Sequence, residues 1–140
     1  MAAADPDRAL LIACFDPVRQ ELFAKLAERG HDQLRPCHRA LLSYLDDDGV
    51  RATELARVLS QPKQYVGRLV DELEALGYVQ RRPDPRDRRG KLVVPTELGH
   101  QEQREADAIL DEIEQRHTER LGAQQYAEFR RMLRVVARGN

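Results

Sequence analysis

Apolar residues recur along this chain at helical spacing, with one interruption. Leu11, Phe15, Val18, Leu22 and Leu26 fall at steps of three and four, so a single apolar stripe runs down a first helix. Asp5-Pro6 and Asp16-Pro17 each read as a helix start, an aspartate cap with proline at the first helical position, and Gly30 reads as a stop. Because the stripe persists across Pro17, the expectation is a first helix kinked or broken there. Residues 37–45 give Ala40, Leu41, Leu42, Tyr44 and Leu45 to a short buried helix, ended by Gly49 after the turn DDDG. Thr53 predicts a cap for a helix carrying Leu55, Ala56, Val58 and Leu59. Ser60 predicts a cap for the next, with Pro62 in its first turn.

That next helix is amphipathic. Val66, Leu69, Val70, Leu73 and Leu76 form one face, Gln64, Gly67, Arg68 and Asp71 lie opposite, and Gly77 closes it. The pattern then changes: Tyr78-Val79 and Leu92-Val93-Val94 are short apolar or β-branched runs flanking a loop rich in Pro, Asp, Arg and Gly, which predicts a β-hairpin with a basic tip. Thr96 predicts the cap of a long helix with Leu98, Ile109, Leu110 and Ile113, and a final helix carries Tyr126, Phe129, Met132, Leu133 and Val136. There is no internal repeat. The fold class predicted is mainly α with a small β-hairpin.

Composition adds bounds. A length of 140 residues suits one folding unit, and 41% apolar with 34% charged residues, without a run of near twenty apolar positions, describes a soluble globular chain with no membrane partner. MAAADPDRAL has neither the basic start nor the apolar core of an export signal, so the cytoplasm is expected. Cys14 and Cys37 lack zinc spacing and are expected to be reduced; no metal or cofactor is expected. The net charge of -1 says little, because a nucleic-acid surface needs only a local basic patch. Such a patch exists: RRPDPRDRRGK at 81–91 sets Arg81, Arg82, Arg86, Arg88, Arg89 and Lys91 against Asp84 and Asp87, and residues 97–119 are then strongly acidic.

Helix, helix, tight turn, amphipathic helix and hairpin is the order of a winged helix-turn-helix, whose second helix enters the major groove while the hairpin serves as a wing. The residue types suit that work. Arginines reach phosphates and the narrow minor groove, Gln and Arg bond base edges, and Gly67 allows close approach. A winged helix that binds protein instead is the alternative, but its hairpin tip has no need of so many arginines. Catalysis is not expected: no Ser/His/Asp set, phosphate-cradling loop or metal-spaced cluster is present, and His31 and His38 lack acidic partners at useful sequence spacing.

The segment Thr53–Gly99, TELARVLSQPKQYVGRLVDELEALGYVQRRPDPRDRRGKLVVPTELG, closely resembles the core of MarR-family regulators. The most specific parts are LVDELEALGYV at 69–79, RRPDPRDRRGK at 81–91, and the threonine and glycine that open the following helix. The resemblance implies a sequence-specific DNA-binding transcriptional regulator, by family habit a repressor, acting as a homodimer on a palindromic operator. It divides the chain into dimerisation regions at 1–30 and 96–140 and a DNA-binding domain at 31–95, with the recognition helix at about 61–76 and the wing at about 78–94. Apolar stripes on the terminal helices, larger than one small domain readily covers, fit a partner chain.

Residue by residue, the family's D-x-R wing motif falls on Asp87, which braces the wing, and Arg89, which enters the minor groove. Arg86, Arg88 and Lys91 supply further wing contacts, and Pro62, Lys63, Gln64, Gly67 and Arg68 stand where the family contacts the major groove. Pro95 and Gly67 depart from the family's usual residues. MarR-type proteins release DNA when a small aromatic or anionic compound enters a cleft, for which Phe15, Arg19, His31, His38 and Tyr44 are candidates, or when a cysteine is oxidised. Cys14 resembles the reactive first-helix cysteine of the peroxide-sensing branch, although Asp16 nearby disfavours a thiolate.

Overall fold

The computed structural model describes residues 6–139. A 3-10 turn at Pro6–Ala9 leads into α1 (Leu10–Glu28), which runs unbroken through Pro17. Pro17 forfeits one backbone hydrogen bond but does not start a helix, and Asp16 pairs with Arg19 at 3.7 Å instead of capping. The expected cap at Asp5 lies outside the described residues. Gly30, at φ +96°, is the stop, with the His31 N–H returning to the Leu26 carbonyl at 2.9 Å.

α2 (Pro36–Leu42) ends earlier than its apolar pattern suggested. The DDDG segment is an Asx turn and not the helix end: Asp46 Oδ1 accepts from the N–H groups of Asp48 and Gly49 at 3.1 and 3.2 Å, and Gly49 sits at φ +81°. It feeds β1 (Val50–Arg51), a strand too short to leave an alternating signal. α3 (Ala52–Leu59) starts after Arg51, two residues before the expected Thr53 cap. Ser60 terminates α3 in the left-handed region at φ 53°, and Pro62 precedes α4 (Lys63–Ala75), so Ser60 is not the cap of α4. Pro62 suits the position, since its missing N–H would have no intrahelical partner and its carbonyl accepts the first helical bond from Val66 at 3.1 Å.

β2 (Val79–Asp84) and β3 (Asp87–Pro95) form the hairpin, and β1 adds to the free edge of β3 in the antiparallel order β1-β3-β2. Val50 pairs with Val93, and Asp84 pairs with Asp87 across the two-residue tip Pro85-Arg86. The ladder therefore continues through most of the stretch read from sequence as loop. Pro83 is tolerated because the register slips between Pro83 and Asp84.

α5 (Glu97–Leu121) begins as expected at Thr96, whose hydroxyl accepts from the Gly99 N–H at 3.2 Å and donates to the Gly77 carbonyl at 2.5 Å. A side chain at Gly99 would collide with the Tyr78 carbonyl, which explains glycine there. α6 (Ala123–Arg138) follows Gly122.

Two compact units result, divided inside α1 and α5 and not in the loops: Leu26–Glu105, and the chain up to Lys25 with that from Ala106 onward. In Leu26–Glu105 the core is Leu41, Leu42, Leu55, Val66, Val70, Leu73, Val79 and Val93, with the Arg39 Nε–Glu102 Oε1 pair, 2.9 Å, buried beside it. In the other unit Leu22, Ile109 and Ile113 are buried, whereas Leu11, Ile12, Phe15, Met132, Val135 and Val136 are exposed. Glu21 binds Arg116 and, at 3.0 Å, Lys25; the Arg116 bond foremost holds its carboxyl down at about 2. A depressed carboxylate stabilises above its ordinary value and ceases to do so as pH falls through the folded value. This unit is accordingly expected to lose stability between pH 4.5 and about 2, and Glu21→Gln to flatten part of that slope in a circular-dichroism titration.

Candidate nucleic-acid interface

α4 buries Val66, Leu69, Val70 and Leu73 and turns Lys63, Gln64 and Arg68 to solvent, with the Arg68 guanidinium 5.9 Å from the Tyr65 ring centre. Pro62 is exposed at the helix entrance. A Cβ on Gly67 would meet nothing within 4 Å, so no packing inside the chain demands glycine there. Gly67→Ala is therefore expected to raise stability by roughly 0.5–1 kcal/mol through helix propensity, read as a higher melting temperature. A lower melting temperature would reveal a packing role.

The hairpin tip is held by a clamp. Arg51 on β1 donates from Nε to Asp84 Oδ2 at 2.8 Å, and its Nη2 lies 3.3 Å from Asp87. Asp84 is buried and also accepts the Arg86 N–H at 2.9 Å; that backbone bond, then Arg51, holds its carboxyl below the usual range. A Cβ on Gly90 would come within 2.6 Å of Arg51 Cζ, so glycine seats the guanidinium. The sequence reading assigned the brace to Asp87; Asp84 and Arg51 share it. In sequence Asp84 stands out only as a charge opposing the arginines, and the one signal of its role is two aspartates spaced across a two-residue turn.

Arg86, Arg88, Arg89 and Lys91 are exposed, and their side chains make no ion pair among the described residues. Arg81 differs: it binds Asp71 at 2.8 Å and Glu74 at 3.0 Å on α4, which neutralises it. A braced hairpin with unpaired cations at its tip stands beside a helix whose solvent face carries Gln and Arg donors, an arrangement able to hold phosphates and read base edges.

The ligand candidates divide. His31 and His38 are buried and do have acidic partners, brought from distant sequence by folding. His31 bonds the Tyr78 hydroxyl at 2.6 Å and Glu105 at 3.1 Å. His38 accepts the Arg35 N–H at 3.1 Å and donates to Glu72 at 2.6 Å. Both rings thus have each nitrogen engaged within the chain. Phe15, Arg19 and Tyr44 are exposed, the first two stacked at 5.6 Å. Cys14 is exposed and lines a cavity of about 750 Å³ with Val18, Arg116, His117, Arg120 and Phe129. No helix among the described residues is long and apolar enough to cross a membrane.

Residues 34–90 match the family model described as the MarR family. No curated protein sequence matches the chain. Among solved structures, CouR from Rhodococcus jostii RHA1, bound to p-coumaroyl-CoA, is 28% identical with TM-score 0.75 over 97% of this chain and 96% of that one. A MarR-family transcriptional regulator from Rhodococcus sp. RHA1 is 27% identical with TM-score 0.74, covering 99% of each chain. The S. aureus MepR–DNA complex has TM-score 0.76 over 98% of this chain and 100% of that one, a likeness of fold at 20% identity.

The three-stranded sheet, the α3–α4 pair and the hairpin beside it define a winged helix-turn-helix protein. Over residues 34–90, and in its fold, the chain is similar to MarR-family transcriptional regulators.

Proposed function

We propose that this regulator binds a palindromic DNA operator as a homodimer, inserts the start of α4 into the major groove and the hairpin tip into the adjacent minor groove, and represses until a small aromatic or anionic effector releases it. The observation that carries the reading is the charge state of the tip, where Arg86, Arg88 and Arg89 are exposed and unpaired among the described residues while Arg81 and Arg51 are neutralised. Exposed apolar side chains on α1 and α6 support dimerisation by a second copy, and two copies related by a two-fold axis favour a palindrome. CouR was solved with p-coumaroyl-CoA, an aromatic acyl thioester that is also anionic, which supports an effector of that class, with the stacked and exposed Phe15 and Arg19 as contacts. The protein works in the cytoplasm and is not an enzyme.

Arg89→Ala is expected to weaken binding to operator and unrelated duplex alike and to lower the salt slope by about one. Gln64→Ala and Arg68→Ala are expected to relax sequence preference, at about 1–3 kcal/mol of discrimination each. Wild-type affinity and preference in all three would contradict the site assignment.

One observation favours a redox route to release. Cys14 is exposed on the wall of a cavity of about 750 Å³, where a small oxidant can reach its sulfur. Peroxide should then abolish DNA binding by the wild type and spare Cys14→Ser; equal responses remove this route.

A further inference from the structure

The buried face of α4 is anchored by Val66, Leu69, Val70 and Leu73. Apolar packing is non-directional and by itself sets the helix's rotation only loosely. Directional ties stand on its two flanks. Toward β2, Arg81 bonds Asp71 at 2.8 Å and Glu74 at 3.0 Å and reaches the Gly67 carbonyl at 3.4 Å. Toward α2, Glu72 accepts from His38 Nε2 at 2.6 Å and from the Arg35 guanidinium at 2.5 Å. At helical spacing Gln64 and Arg68 fall on the exposed arc between those flanks, so a rotation that displaces them strains one tie and slackens the other.

His38 gives the second tie its direction. The ring is 2% exposed, and its Nδ1 accepts the Arg35 backbone N–H. Orientation and tautomer are thereby fixed, and Nε2 carries the hydrogen aimed at Glu72.

We propose that His38 is a positioning residue for sequence readout: through Glu72 it fixes the rotation of α4, and so governs discrimination between operator and unrelated DNA more than overall grip. The inference rests on the DNA-binding reading above. Hydrogen bonds to base edges depend steeply on angle and distance, whereas long arginines follow phosphates through small displacements.

The test compares affinities for a selected operator and a scrambled duplex at fixed salt, using wild type, His38→Gln, His38→Asn and His38→Leu. Gln keeps a donor near Nε2, Asn keeps an acceptor near Nδ1, and Leu keeps volume alone. His38→Gln is expected to hold the operator-to-scrambled ratio within about twofold of wild type, although it loses the acceptor for Arg35 and melts lower. His38→Asn and His38→Leu are expected to lose about tenfold in that ratio, the size of one good base contact, with scrambled-duplex affinity and salt slope unchanged. A wild-type ratio in His38→Leu overturns the proposal. So does a ratio that falls in His38→Gln and His38→Leu alike in step with melting temperature, which makes His38 a packing residue only. If His38→Leu does not fold, Glu72 answers the question, being 35% exposed and replaceable. Glu72→Gln keeps the acceptor and is expected to keep the ratio, Glu72→Ala to lose it, and equal ratios overturn the proposal. A folded wild type that binds no duplex overturns the DNA-binding reading and this proposal with it; a wild type that discriminates beside variants that do so equally well overturns this proposal alone.

Discussion

Changing Leu133 and Val136 on α6 to glutamate is expected to leave the Leu26–Glu105 unit folded and to abolish tight operator binding. Both side chains are substantially exposed, at 37% and 51%, and neither belongs to that unit's core. In the proposed homodimer they would lie in the apolar interface, where an unpaired carboxylate costs several kcal/mol and forces the copies apart. A monomer engages one half-site and forgoes the effective concentration that the linked second half supplies, so operator affinity should drop by about 10²-fold or more. Sedimentation and fluorescence anisotropy on the same samples test both steps. A variant that stays dimeric would displace the proposed interface, and a monomer binding as tightly as wild type would remove the two-fold operator.

The second large effect is expected from Arg51→Ala. Removing the guanidinium leaves Asp84 and Asp87 without their shared cation at the base of a hairpin whose exposed cations are proposed to meet phosphates. The wing loses its brace, and two carboxylates then repel the duplex. Operator and unrelated duplex should both bind about ten- to a hundredfold more weakly, because phosphate contacts are sequence-independent. Gly90→Ala should act in the same direction by pressing on Arg51 Cζ. Since Asp84 is held below the usual carboxylate range, the clamp is intact at neutral pH and is lost only as pH falls through that depressed value. Wild-type affinity in Arg51→Ala, with hydrogen exchange at the tip unchanged, would show that the clamp does not brace the wing.

Much of this architecture was legible because periodicity and caps agreed. The apolar face of α4 with Gly77 after it, the Thr96 cap of α5 and the hairpin between them are encoded locally, within a few residues of where each acts. What sequence did not show depends on chain distant in sequence. β1 is two residues long and exists because β3 offers an edge. Ser60 looked like an N-cap, yet the tight α3–α4 turn needed a left-handed residue at that position. The acidic partners of His31 and His38, Glu105 and Glu72, lie 74 and 34 residues away, so two histidines that resembled ligand contacts became internal ties. At the interface, the exposed arginines were visible as charge. The separation of Arg81 and Arg51, which are neutralised, from Arg86, Arg88 and Arg89, which are not, required the fold.

The most direct test of DNA recognition is selection of bound duplexes from a random pool by the purified protein, followed by titration of the selected duplex against salt. A dimeric winged-helix reader predicts an inverted repeat with half-sites about one helical turn apart, and affinity that falls steeply as salt rises. A folded dimer that enriches no sequence and shows a flat salt response would contradict it and mark the winged helix as a protein-binding module.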